Sequence, residues 1–98
     1  MNRCSDLNEV RENINRLDEK IVKLIAERSE YVRQAAAFKK NIESVKASDR
    51  VEIIINKVRK LSQEYNLNPD LTESIYRNMI NEFVNMELKE HKKYEKEI

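Results

Sequence analysis

The sequence predicts an all-α protein of three helices, the first of them very long. The chain has no Gly and a single Pro, its apolar residues recur at helical spacing, and Asn68-Pro69 marks a clear helix boundary. With 38% charged and 40% hydrophobic residues, the composition is typical of a folded domain rather than a disordered chain. We therefore expect residues 1–98 to form a single domain, with a core from about residue 7 to residue 90 and a charged C-terminal tail.

The first helix is indicated by an apolar seam whose members alternate at spacings of three and four residues. These members are Leu7, Val10, Ile14, Leu17, Ile21 and Leu24. Such a seam is typical of coiled coils. The rhythm continues with no breaker before about Ser44, so we expect one helix of roughly 38 residues, about 57 Å long. A small monomer cannot cover a helix of this length, and the helix therefore needs a partner.

Two shorter helices are expected after the first. Ser48 can cap the second helix, whose apolar face comprises Val51, Ile54, Ile55, Val58, Leu61 and Tyr65. Asn68 and Pro69 are typical of the N-cap and first position of a third helix. That helix directs Leu71, Ile75, Met79, Ile80, Phe83 and Met86 inward. After about Leu88 the sequence is charged, and we expect fraying there.

Composition and charge exclude several classes of function. The formal net charge of +1 lacks the basic excess of a nucleic-acid binder. No apolar run is long enough for a signal sequence or a membrane span, and the one cysteine, Cys4, cannot form an internal disulfide. We expect a cytoplasmic protein with neither a nucleic acid nor a membrane as partner. Since the single histidine, His91, lies in the charged tail, we expect no metal site.

Cations at or beside the seam are the candidate binding residues. Arg28 occupies a seam position, where a charge is costly without a partner; an acid on another helix and an anion site explain it equally well. Lys39 lies towards the same side, about 16 Å further along the axis, so the two could hold a small dianion. Arg11 and Lys39 are about 42 Å apart on the expected helix and cannot share a ligand within one chain. In an antiparallel dimer, Arg11 of one protomer and Lys39 of the other can share a ligand.

Two further residues have more than one interpretation from the pattern alone. Arg50, in the first turn of the second helix, either adds another cation or is an ordinary surface residue. Glu87 continues the stripe of Tyr76, Ile80 and Phe83 at helical spacing. Its carboxyl group either faces the interior or is exposed near a fraying helix end.

The chain resembles the all-helical chorismate mutases over nearly its whole length. The matching parts are the stretches from Arg11 to Ile21 and from Leu24 to Arg28, then Lys39, Asp49-Arg50 and the segment from Leu67 to Glu87. The most specific feature is the combination of Arg11, Asp18, Arg28 and Lys39 at these intervals. The resemblance predicts the fold and the site together.

The resemblance implies an intertwined helical-bundle homodimer with two active sites, each of which takes Arg11 from the partner. It implies that Arg11 and Arg28 bind the carboxylates of a small dicarboxylate and that Arg50 also lines the site. Lys39 and Glu87 would hydrogen-bond the enol ether oxygen. Conversion of chorismate to prephenate is an intramolecular pericyclic rearrangement without nucleophile, metal or cofactor. It needs a pocket that holds the reactive conformer and stabilises charge on the ether oxygen.

Departures from the typical mutase pattern affect substrate choice. Val51 follows Arg50 at a place where typical mutases carry an acid that accepts a hydrogen bond from the ring hydroxyl. Ala47 stands where typical mutases often have a polar contact, and Phe83 replaces a small hydroxyl residue. Glu52 is present, but a shift of one residue rotates it about 100° around the helix. The segment from Tyr31 to Lys39, together with Asp49-Arg50-Val51, is closer to the isochorismate-pyruvate lyases. These share the fold, and their substrate carries its hydroxyl on a different ring carbon.

We predict a chorismate mutase and keep two alternatives. The first is an isochorismate-pyruvate lyase, favoured by Val51 and by the segment from Tyr31 to Lys39. The second is a non-catalytic helical dimerisation module built on the seam. Arg28 argues against that module, because a plain dimerisation helix gains nothing from a buried cation.

Overall fold

Three α-helices make up the described part of the chain. The computed structural model describes residues 3–38 and 48–97, with side chains for residues 3–38 and 49–89. The helices are α1, Leu7–Ala36; α2, Ser48–Glu64; and α3, Pro69–Glu97. The chain divides into two compact units, Met1–Val32 and Arg33–Ile98. Over the described residues the all-α class is confirmed, and none of these helices is long and apolar enough to cross a membrane.

A pair of side chains caps the start of α1. The Asp6 carboxylate accepts a hydrogen bond from the Glu9 amide at 2.8 Å, and the Glu9 carboxylate accepts one from the Ser5 amide at 2.8 Å. The Glu9 amide is one of the first-turn donors that a helix cannot satisfy internally. Both negative charges also complement the positive end of the helix dipole. The cap fixes where the helix begins.

The end of α1 corrects the prediction of an uninterrupted helix to about Ser44. The helix stops at Ala36. The amides of Ala37 and Phe38 bond to carbonyls three residues back, at 3.2 and 3.0 Å, instead of four residues back. This tighter turn ends the α-helical hydrogen-bond ladder. Phe38 is 85% exposed in the single chain, so no burial there offsets the entropy cost of a longer helix.

The apolar seam of α1 is exposed in the single chain. Its six large side chains range from 38% exposure at Val10 to 62% at Leu24, and no residue of α1 is buried. Apolar area left in water is unfavourable by about 25 cal/mol per Å². Burial of this seam would therefore be energetically favourable.

α2 and α3 form an antiparallel hairpin. Successive contacts join Ser62 to Thr72, Arg59 to Glu73 and Glu52 to Arg77. Ile55 and Val58 are buried between the helices, as predicted. Leu61, Tyr65, Leu71, Ile75 and Met86, which we expected inside, are exposed in the single chain. Two helices cover only one stripe of each other's surface, so an apolar face wider than that stripe stays uncovered.

The connection between α2 and α3 is a Schellman turn followed by a capped helix start. Asn66 has a φ of 55°, and the amide of the next residue bonds to the Ser62 carbonyl at 2.8 Å. The Asn68 side-chain oxygen accepts a hydrogen bond from the Asp70 amide at 2.9 Å, and Pro69 opens α3. The predicted cap and first residue of the third helix are confirmed.

α3 continues past the expected fraying point. It ends at Glu97 rather than near Leu88. The segment from Lys89 onward is rich in Lys and Glu, which favour helix, and it contains neither Gly nor Pro. Charge density alone does not end a helix.

Candidate active site

A network of ion pairs joins α2 to α3. Arg77 donates to both carboxylate oxygens of Glu52, at 3.1 and 3.3 Å, and to Glu73 at 2.8 Å. Arg59 donates to the other Glu73 oxygen at 2.8 Å and to Asp70 at 3.0 Å. Glu73 thus bridges two arginines, and each arginine bridges two acids.

The network shifts the pKa of its members in opposite directions. The hydrogen bond from Arg77, helped by that from Arg59, holds the pKa of Glu73 below its usual value although burial opposes the shift. Hydrogen bonds to Glu52 and then Glu73 raise the pKa of Arg77, and the bond to Asp70 is the main cause of the raised pKa of Arg59. Since the side chains are partly exposed, salt screens these attractions.

We expect the network to make stability depend on pH through Glu73. A lowered pKa means that the ionised form is favoured by folding, so the stabilisation is present above the ordinary pKa of 4.5. It is lost as pH falls through the lowered folded-state pKa. Urea midpoints, measured at one protein concentration, should therefore be higher for the wild type than for Glu73→Gln at neutral pH, and the gap should narrow on acidification. Glu64→Gln, outside the network, is the control. A gap of constant size across the acid range would contradict the assignment.

A groove of about 560 Å³ lies between α2 and α3 beside this network. Its lining comprises Val51, Glu52, Arg77, Ile80, Asn81, Val84, Asn85 and Leu88. The volume is within the range of small-molecule sites, roughly 300–1,000 Å³. Val51 is half-buried here and shares the groove with its neighbour Glu52. Part of the hairpin thus has the size and mixed polarity of a binding site.

The hairpin also carries two other predicted site residues. Glu87 is buried, with 6% of its surface exposed. The inward-facing interpretation of Glu87 is therefore confirmed and the exposed one is wrong. Arg50 is exposed near the start of α2, and its role as a cation of the site stays a prediction.

The remaining predicted residues are on or after α1. Arg11 is exposed and Arg28 is half-buried. They are 17 residues apart in one helix, a separation of about 25 Å along the axis, which is more than a small dicarboxylate spans. Two carboxylates of one substrate therefore cannot pair with Arg11 and Arg28 of the same α1. Lys39 and Ala47 lie outside the described residues, and their roles stay predictions.

Sequence reasoning did not single out the ion-pair network. The spacing of Glu73 and Arg77, four residues apart on α3, is a readable signal for one pair. The pairing of Arg77 with Glu52 crosses 25 residues of sequence and depends on how the hairpin aligns.

These features define a class: a small all-helical protein with basic side chains on helix faces, a groove between two helices and a buried carboxyl group at Glu87, which does not itself line that groove. Residues 10–88 match the family described as chorismate mutase type II. The chain belongs to this family. This membership makes the protein an enzyme, and the mutase activity that names the family is an isomerisation.

Two curated relatives match the chain along most of its length. The isochorismate pyruvate lyase of Pseudomonas aeruginosa is 27% identical over 86 residues, covering 88% of this chain and 85% of that protein. The chorismate mutase of Methanocaldococcus jannaschii is 32% identical over 75 residues, covering 76% of each chain. Both activities considered from the sequence therefore occur among its relatives.

Proposed function

We propose that this protein is a chorismate mutase that rearranges chorismate to prephenate. The observation that carries the proposal is the family match over residues 10–88, which spans every residue assigned to the site from Arg11 to Glu87. The mutase relative has the higher identity, 32% over 75 residues, whereas the lyase relative is 27% identical over a longer stretch of 86 residues.

The proposal includes a homodimer in which a second copy of the chain covers the seam of α1. The exposed seam supports this, since identical seams with coiled-coil spacing complement each other. The separation of Arg11 and Arg28 by about 25 Å supports it further, because each substrate then needs the two arginines from different protomers. Each active site accordingly combines Arg28 of one protomer with Arg11 of the other.

In this proposal the protein catalyses the reaction by holding the substrate in its reactive conformer and by stabilising developing negative charge. Arg11 and Arg28 each pair with a substrate carboxylate, and such pairs are strong and directional when bidentate. They hold the substrate in the compact conformer in which the new C–C bond forms as the ether C–O bond breaks. Lys39 and Glu87 donate hydrogen bonds to the ether oxygen, where negative charge develops. Glu87 can donate only in its protonated form, because a carboxylate is solely an acceptor.

An isochorismate-pyruvate lyase is the second candidate, and Val51 is the observation that favours it. The groove presents the Val51 side chain together with Ile80, Val84 and Leu88. These four apolar side chains offer no acceptor to a ring hydroxyl, whereas the acid of a typical mutase at position 51 would. An unpaired buried hydroxyl costs about 1–3 kcal/mol of binding free energy. A substrate with its hydroxyl on another ring carbon would avoid this cost beside Val51.

The decisive experiment is a separate assay of the purified protein with chorismate and with isochorismate. Prephenate from chorismate, with a larger kcat/KM than for any reaction of isochorismate, is the expected result. Salicylate and pyruvate formed from isochorismate with the larger kcat/KM would establish the lyase instead. Turnover of neither substrate by folded protein would overturn both assignments.

Substitution of Val51 by Glu tests how the site reads the ring hydroxyl. We expect Val51→Glu to raise kcat/KM for chorismate relative to isochorismate, because the new carboxylate accepts a hydrogen bond from the chorismate hydroxyl. Such a bond to a charged group is worth about 1.5–3 kcal/mol, or roughly 10- to 150-fold in the ratio. Val51→Leu, which adds no acceptor, is the matched control. The same ratio in all three proteins would show that position 51 does not contact the hydroxyl.

A further inference from the structure

The groove between α2 and α3 contains one acid among its described lining residues, and that acid is already engaged. Glu52 lines the groove next to Val51. Both of its carboxylate oxygens accept hydrogen bonds from Arg77, at 3.1 and 3.3 Å. The carboxylate therefore points to α3, and its charge is balanced before any ligand arrives.

Arg77 is itself held from its own helix. Its Nε donates to Glu73 at 2.8 Å, and Glu73 accepts a second hydrogen bond from Arg59 at 2.8 Å. A single exposed ion pair is easily broken by water and salt. Here the two parallel hydrogen bonds to Glu52, together with the anchor at Glu73, restrict the rotation of the guanidinium group.

We propose that Arg77 is a positioning residue for substrate choice: it holds the Glu52 carboxylate against α3 and withholds it from the ring hydroxyl of the substrate. The inference rests on the proposed function, which places Val51 at that hydroxyl. Glu52 lines the same groove and directly follows Val51 on α2. The ion pair with Arg77, and not only the identity of residue 51, thus keeps a carboxylate acceptor away from the hydroxyl.

Release of Glu52 should change the preference between two substrates that differ in the position of one hydroxyl. In Arg77→Gln the guanidinium group is lost, and the Glu52 carboxylate can turn away from α3 towards the part of the groove beside Val51. We expect the ratio of kcat/KM for chorismate to that for isochorismate to rise about tenfold, the size of one hydrogen bond to a charged group. Arg77→Lys keeps the charge and should show a smaller rise, since Lys lacks the two-pronged contact.

The experiment measures the ratio of kcat/KM for chorismate to that for isochorismate in four proteins. These are the wild type, Arg77→Gln, the double variant Arg77→Gln/Glu52→Gln, and Arg59→Gln. The double variant has a weaker, uncharged acceptor and should lose most of the rise. Arg59→Gln removes an arginine from the same network but leaves the direct hydrogen bonds from Arg77 to Glu52 and Glu73 in place, so its ratio should stay close to that of wild type. Circular dichroism and sedimentation confirm that the variants share the wild-type fold and assembly.

Three results would overturn the inference while leaving the proposed function intact. These are an unchanged ratio in Arg77→Gln, an equal rise in the double variant, and an equal rise in Arg59→Gln. The ratio is measured where the wild type turns over both substrates; where it turns over only one, kcat/KM for chorismate is compared among the variants instead. A folded wild type that turns over neither overturns the proposed function, and this inference falls with it.

Discussion

Mixing Arg11→Ala with Arg28→Ala should restore activity that neither variant has alone. Each homodimer should lose about 30- to 4,000-fold in kcat/KM, because removal of one partner of a buried charge pair costs about 2–5 kcal/mol. When the two are unfolded together and refolded, random pairing makes half of the dimers mixed. Each mixed dimer has one site with both arginines and one site with neither. Activity should therefore return to about a quarter of wild type.

The reverse arrangement is the matched control for this mixing experiment. Refolding wild type with the double variant Arg11→Ala/Arg28→Ala yields mixed dimers in which each site lacks one arginine. Their formation should halve the activity relative to the two proteins refolded separately. Mass spectrometry under native conditions measures the fraction of mixed dimers. No recovery from the single variants despite abundant mixed dimers would show that Arg11 does not act across the interface.

Glu87→Ala should lower kcat by about 100- to 1,000-fold, the usual effect of removing a donor to a developing negative charge. Glu87→Gln keeps a hydrogen-bond donor of nearly the same shape and should retain most of the activity. The reason lies in the reaction, in which charge develops on the ether oxygen and only a donor stabilises it. Steady-state kinetics with chorismate, at fixed pH, measures both variants.

If Glu87 had a purely structural role, its substitution would change the stability of the protein. The residue is buried in α3, so truncation to Ala also leaves a cavity and lowers the unfolding midpoint. Glu82→Ala, at an exposed site on the same helix, controls for general effects of substitution. If Glu87→Gln were as inactive as Glu87→Ala while remaining as stable as wild type, the proposed hydrogen bond from position 87 would be wrong.

The helical class and the boundary at Asn68-Pro69 could be predicted because the physics behind them is local. Asn68 caps the amide of a residue two positions later, and Pro69 lacks the N–H that a helix start cannot use. The end of α1 at Ala36 has no such signal. Its sequence is rich in Ala and compatible with more helix, and the helix stops just before Phe38, whose side chain is exposed in the single chain.

Sequence periodicity by itself determined which residue types lie on one helix face, including the exposed seam of α1 and the stripe that ends at Glu87. Only the tertiary structure decided that Glu87 is buried, because the same periodicity fits an inward side chain and a solvated one near a helix end. Tertiary structure likewise decided that Arg77 pairs with Glu52, 25 residues away. The two residues meet because the turn at Asn66 aligns α2 and α3 antiparallel. The spacing of residues along either helix does not specify this alignment, so it could not predict which residues pair between the helices.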